Sequence, residues 1–305
     1  MKKFFLLMSI AIASCLMSAC NPFSEESGQE KQDRLDDQEI LDYLEANNLT
    51  AQRTDNGIYY IINKANPGGQ IPQIGDQAEM HYVGRLLSGT VVDSTSSFLD
   101  EPKIFIFDNV PNASEVLIGI ESASTFLKEG EEATFLLPSR FAFGNQSTSA
   151  MPPNSVLRYD VSSFKVKNEQ EQITDFIAAD TLTNYIGIDS VITSYIKQIP
   201  DSEVADVAAP DSVVTVSYVG RYLNGTEFDS NDAFVFPVAS KDDRANSQVI
   251  EGWDRALNGM KKGEKKRILI YSTLAYGAQG RSTGSSTIPP YSVLWFDIEL
   301  IDIRK

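Results

Sequence analysis

The chain has 305 residues and a formal charge of −16, from 26 basic against 42 acidic side chains, with enough apolar residues (42%) to fill one large or two ordinary cores. Such acidity repels nucleic acid and anionic lipid head groups. His81 is the only histidine, and Cys15 and Cys20 are the only cysteines, which excludes a His- or Cys-based metal site.

In chain order, Lys2 and Lys3 precede an almost wholly apolar run over residues 4–16. This is the pattern of a secretory signal, and it is too short to span a bilayer comfortably. The run ends Leu16-Met17-Ser18-Ala19-Cys20, which resembles the bacterial lipobox, where the cysteine is lipidated and becomes the first mature residue. The alternative is an ordinary cleavage site beside a chance cysteine. Both cysteines lie in this leader, so the folded part is expected to carry neither disulfide nor reactive thiol. Acyl chains on Cys20 would anchor the protein by about 0.8 kcal/mol per buried CH₂. The expectation is a signal at 1–19, a flexible tether at 20–36, and a place in the cell envelope, at the outer membrane of a Gram-negative bacterium, with the membrane face left open. Ser24-Glu25-Glu26 resembles a surface-export signal of some such lipoproteins, or is simply a soluble linker.

The rest repeats once. Tyr82-Val83-Gly84-Arg85 returns as Tyr218-Val219-Gly220-Arg221, and Asp93-Ser94 as Asp229-Ser230. Val116, Leu117 and Gly119 return as Val249, Ile250 and Gly252. Phe141-Ala142-Phe143-Gly144 returns as Leu274-Ala275-Tyr276-Gly277, and Pro152-Pro153 as Pro289-Pro290. Two domains are predicted, at 37–167 and 168–305, joined by the polar stretch 167–172. Each opens with a helical spacing: Ile40, Tyr43 and Leu44, then Ile173, Phe176 and Ile177. A strand-like run follows each, at 57–62 and 191–196. Residues 213–219, 267–271 and 292–300 alternate as strands do. Ile250, Trp253, Leu257 and Met260 share one helical face, with Lys261, Lys262 and Gly263 as its expected end. Leu117, Ile120, Ser124 and Leu127 repeat that face, with Gly130 as the matching end. Antiparallel strands around one helix make an α+β domain.

Six motifs in the second repeat, taken in order, resemble the FKBP-type peptidyl-prolyl isomerase family. They are Tyr218-x-Gly220, Phe228-Asp229-Ser230, Val249-Ile250-x-Gly252-Trp253, Ala275-Tyr276-Gly277, Ile288-Pro289-Pro290 and Phe296-Asp297. The resemblance implies a half-open antiparallel sheet wrapped on a short helix, with a client proline held between them. It implies that Trp253 floors the pocket, with Tyr218, Phe228, Val249, Ile250 and Phe296 as walls and Phe234, Phe236 and Ile288 adding apolar surface. The Ile250 N–H and the Tyr276 hydroxyl would donate to client carbonyls, and Asp229 would face the twisting bond. Tyr218, Asp229, Ile250 and Tyr276 are thus the expected catalytic set. No cofactor or metal is implied, and the partners are proline-containing polypeptides. A basic residue common in the family is missing where this chain has Asn231-Asp232-Ala233.

The first repeat departs further. Val92, Ile120, Phe143, Met151 and Tyr159 stand where the second has Phe228, Trp253, Tyr276, Ile288 and Phe296, while Tyr82, Asp93, Val116 and Leu117 remain. The first domain is therefore expected to be weakly active or inactive, serving to hold clients, to dimerise or as a spacer. The whole is read as an isomerase assisting the folding of exported envelope proteins. The alternative is a tethered, non-catalytic binding or chaperone module of the same fold. The oligomeric state stays open.

Overall fold

The computed structural model describes residues 27–95, 101–108, 117–188, 191–202, 206–240, 247–283 and 286–304. The signal, Cys20, Ser24-Glu25-Glu26 and Val116 lie outside the described residues. Among the described residues no helix is long and apolar enough to cross a membrane.

The first unit runs α1 (Gly28–Ala46), β1 (Gln52–Arg53), β2 (Tyr59–Lys64), β3 (Gln77–Leu86), β4 (Val91–Ser94), β5 (Lys103–Ile106), α2 (Ile118–Ser124), β6 (Glu132–Leu137) and β7 (Leu157–Lys167). The second runs α3 (Glu169–Ala179), β8 (Ile186–Ile188), β9 (Val191–Lys197), β10 (Val213–Tyr222), β11 (Glu227–Pro237), α4 (Glu251–Leu257), β12 (Lys265–Ile270), β13 (Arg281–Thr283), β14 (Ser286–Ile288) and β15 (Leu294–Arg304). Each unit packs a main antiparallel sheet on a short central helix, the expected α+β design, and in the second β13 and β14 pair as a separate hairpin. The first sheet is ordered β1-β2-β6-β7-β3-β4, with β5 also on β3; the second is ordered β11-β10-β15-β12-β9-β8. Alternation drives both, since β3 and β10 point every second residue inward. Each sheet closes over its own core, with Ile120 and Leu127 in one and Trp253 and Leu257 in the other.

Three expectations are corrected. The tether does not reach residue 36, because α1 starts at Gly28 behind a reciprocal Ser27–Glu30 capping box. Asp36 reads as solvated linker but is 1% exposed. It points inward with Ile40 and Leu44, and accepts from the Ser139 N–H at 2.7 Å and the Ser139 hydroxyl at 2.6 Å. The join is shorter than 167–172, since β7 ends at Lys167 and α3 begins at Glu169, leaving only Asn168 between them as N-cap. Lys167 pins that junction, with Nζ 2.8 Å from Glu79 on β3 and 3.0 Å from Asp175 on α3. The central helices also stop early. α4 ends at Leu257, where the C-cap Asn258 leaves the helical region and left-handed Gly259 turns the chain, and α2 ends at Ser124 with Thr125 as its C-cap. Gly263 and Gly130 shape the following turns instead, both at positive φ.

Candidate active site

In the second unit, Gly220 decides how the sheet can carry aromatic rings. A Cβ there would stand 2.6 Å from the Phe296 ring and 2.9 Å from Phe228, so both rings lie over bare backbone. Phe296 on β15 pairs with Gly220 across the ladder. It meets Trp253 edge-on at 5.2 Å and 90°, while Tyr218 meets Trp253 at 4.7 Å and 78°. Phe234 closes a third side, 6.4 Å from Trp253. Such edge contacts add about 0.5–1.5 kcal/mol each beyond area burial, so the rings form a stiff box. Trp253 is 4% exposed, and among the described residues its indole N–H has no hydrogen-bond partner. A buried orphan donor costs about 1–3 kcal/mol.

Helix α4 is pressed close by Gly252, where a Cβ would meet Ile270 at 2.5 Å. Ile250 is its N-cap, so the Ile250 N–H belongs to the donors that no intrahelical carbonyl reaches. Buried Asp254 accepts from the Ala239 N–H at 3.0 Å and the Ser247 hydroxyl at 2.8 Å, fixing the segment that carries Gln248 and Val249. In the first unit Glu121 has the equivalent place and accepts from the Asp108 N–H.

Tyr218 donates to Asp229 at 2.8 Å from β10 to β11. Burial first, and then that carboxylate, push the Tyr218 phenol up, so it stays a donor. Tyr276 follows a 3-10 turn over Ser272–Leu274. Glu169, at the start of α3, holds the turn by accepting from the Ser272 N–H at 2.8 Å and from the Ser272 hydroxyl. The Tyr276 oxygen accepts from Arg281 at 2.8 Å.

These groups surround one cavity of about 490 Å³. Its walls include Tyr218, Asp229, Phe234, Val249, Ile250, Trp253, Tyr276 and Phe296, all expected from the sequence. Phe228, Phe236 and Ile288 are not among the lining residues. Phe228 is drawn between Tyr222 and Phe296, at 5.1 and 5.6 Å. Phe236 is 1% exposed behind Phe234 and Trp253. Ile288 turns into the core beneath the β13–β14 hairpin. β11 runs through Asn231-Asp232-Ala233 with a bulge opposite 216–218. Ser247, Gln248, Glu251, Ala275 and Arg281 line the cavity unforeseen. Arg281 lies in the segment where the repeat spacing lengthens, and that drift was the available signal.

The first unit keeps the frame and loses the box. Tyr159 lies over Gly84 as Phe296 lies over Gly220. Its hydroxyl, however, reaches Asp93 at 3.4 Å, and Tyr82 donates to the same Asp93 oxygen at 2.9 Å. Ile120, 1% exposed, is core in the place of Trp253. His81 sits on β3 beside Thr95, at 3.3 Å, a structural place.

The model of the family described as FKBP-type peptidyl-prolyl cis-trans isomerase matches residues 68–163 and again 205–301. A yeast (Saccharomyces cerevisiae) protein named peptidyl-prolyl cis-trans isomerase FPR2 is 40% identical over 111 residues, which cover 36% of this chain and 78% of that one. The human peptidyl-prolyl cis-trans isomerase FKBP9 is 29% identical over 239 residues, 76% of this chain. The match spans only 35% of that human relative. A crystal structure of the three FKBP domains of wheat FKBP73 is 25% identical, covering 83% of this chain and 98% of that one, at a TM-score of 0.38.

Proposed function

The chain belongs to the FKBP-type peptidyl-prolyl cis-trans isomerase family, and from that premise we propose that its second domain isomerises X-Pro bonds in client polypeptides. The observation that carries the proposal is the aromatic box of Tyr218, Phe234, Trp253 and Phe296 around an open cavity, with the Asp229 carboxylate and the Tyr276 phenol at its wall. An X-Pro bond rotates over ~18–20 kcal/mol, taking tens to hundreds of seconds unaided. No bond is made or broken, so the reaction needs no nucleophile. A dry aromatic box strips water from the amide, which weakens the resonance that keeps it planar. The edges of Tyr218 and Phe296 are rigid walls for a pyrrolidine ring on Trp253. Fixed donors, the Ile250 N–H and the Tyr276 hydroxyl, hold client carbonyls while the bond turns. Asp229, held by Tyr218, presents negative charge to the twisting amide.

The first domain is read as non-catalytic. Two phenols occupy Asp93, Ile120 offers no ring as a floor, and Phe143 has no hydroxyl. It serves as a holding module or spacer beside the working domain. The clients are exported proteins, and the chain is tethered to the envelope by lipid on Cys20. These last readings rest on the leader sequence alone.

The test is a proline-limited refolding assay on residues 21–305. The proposal expects the slow phase to accelerate with catalytic amounts of protein. A chain that binds the unfolded client yet leaves the slow phase unchanged would be a binding module instead.

A further inference from the structure

Arg281 stands where the second domain has residues that the first does not. Its backbone pairs with Ile288 across the β13–β14 hairpin. In the first domain the shorter hairpin puts Thr148 opposite Met151, joined by a 2.9 Å bond from the Thr148 N–H to the Met151 carbonyl. The domain that lacks the Tyr276 hydroxyl, having Phe143 there, therefore also lacks the arginine.

The hairpin over-determines where Arg281 sits. Gly280 lies at φ +59, and a Cβ on it would meet the Ile288 carbonyl at 2.3 Å, so the chain turns tightly just before the arginine. Tyr222 on β10 donates to the Thr287 carbonyl at 2.9 Å and ties the hairpin to the sheet. Ile288, 6% exposed, is its apolar foot.

The Arg281 side chain reaches Tyr276. Its guanidinium donates to the Tyr276 oxygen at 2.8 Å and lies 5.2 Å from the same ring. Among the described residues it meets no carboxylate, although the chain is strongly acidic. The two acids of the cavity wall are engaged elsewhere, Asp229 by Tyr218 and Glu251 by Arg255. A phenol has one proton to give and lone pairs to accept with. Once a cation fills an acceptor position, the proton turns away from it, and the neighbouring charge makes the phenol a stronger donor.

We propose that Arg281 is a positioning residue of the isomerase site, one that fixes the Tyr276 hydroxyl as a donor into the cavity. This rests on the second domain being the working one. Arg281 is bonded to the Tyr276 oxygen, and its charge also reaches the Tyr218 phenol, so the double variant below decides that its effect passes through Tyr276.

The experiment measures kcat/KM on an X-Pro peptide for full-length wild type, Arg281→Ala, Arg281→Lys, Tyr276→Phe and the double variant Arg281→Ala/Tyr276→Phe. Thermal midpoints are read by tryptophan fluorescence. Arg281→Ala is expected to lose about five- to tenfold in kcat/KM with an unchanged midpoint. Arg281→Lys, which can still donate to the phenol, recovers most of that loss. In the Tyr276→Phe background the alanine substitution costs nothing further. Full activity in Arg281→Ala overturns the inference, and so does an equal loss in both backgrounds, which would mean that the arginine acts on the client directly or through Tyr218. A wild type without activity sinks the proposed function and this inference together. An active wild type indifferent to Arg281→Ala sinks this inference alone.

Discussion

Glu169→Ala removes a carboxylate outside the cavity that holds the turn leading to Tyr276. It takes the acceptor from two groups of Ser272, the backbone N–H and the hydroxyl, in a residue with no exposed surface. A buried donor left unpaired costs about 1–3 kcal/mol, but the hydroxyl can turn and water can follow the half-buried glutamate out, so the total is about 2–3 kcal/mol. For a domain of this size that is a fall of ~5–15 °C in thermal midpoint. The chain supplies its own control. Asp36 holds Ser139 in the first domain by the same two hydrogen bonds, so Asp36→Ala should cost that domain at least as much. Both tryptophans, Trp253 and Trp295, lie in the second domain. Their fluorescence therefore reports its unfolding alone, while circular dichroism reports both domains. Glu169→Ala should lower the tryptophan transition. Asp36→Ala should leave it in place and lower only the other transition. If Glu169→Ala leaves the tryptophan transition unmoved, or Asp36→Ala lowers it equally, the clamp is not what holds each turn.

Lys266 is 8% exposed between the Ala256 carbonyl and the Tyr195 ring, where the first domain has Ala133. Burial pushes its ammonium below the ordinary lysine range despite Glu264. A depressed lysine costs stability at neutral pH, and that cost fades as pH rises toward the ordinary range, so Lys266→Met should raise the urea midpoint at pH 7 by more than it does at pH 10. An unchanged midpoint at both would contradict this. Tyr218 has the opposite sign. Its raised phenol contributes stability that is complete below the ordinary tyrosine range, about pH 10, and is lost as pH climbs through the raised value. Wild type should therefore lose second-domain stability more steeply above pH 10 than Tyr218→Phe does. Parallel losses would mean that neither burial nor Asp229 holds the proton on Tyr218.

Much of the site was legible because it is built from rings and glycines at fixed spacings. Tyr218, Trp253 and Phe296 meet as the motif order implied, and Gly220 is where a ring needs bare backbone. Repetition helped as well, since one unit displayed the frame and the other its erosion. What stayed illegible was polar and long-range. Asp36 and Glu169 look like solvated tether and solvated join, and only the fold shows that each meets a serine 103 residues away. Phe236 and Ile288 satisfy an aromatic or apolar pattern whether they face the cavity or the core, and alternation alone does not choose between two buried faces. The helix ends were misjudged because Gly259 and Gly263 both carry positive φ and either could have closed α4.

The most direct test of the central claim compares X-Pro peptide isomerisation by wild type and by Trp253→Leu, with Ile120→Val as the matching change in the first domain. The account predicts that Trp253→Leu loses most of kcat/KM while Ile120→Val keeps it, because only the second domain has a ring for the proline to rest on. Retained activity in Trp253→Leu, with loss in Ile120→Val, would place catalysis in the first domain and contradict the account.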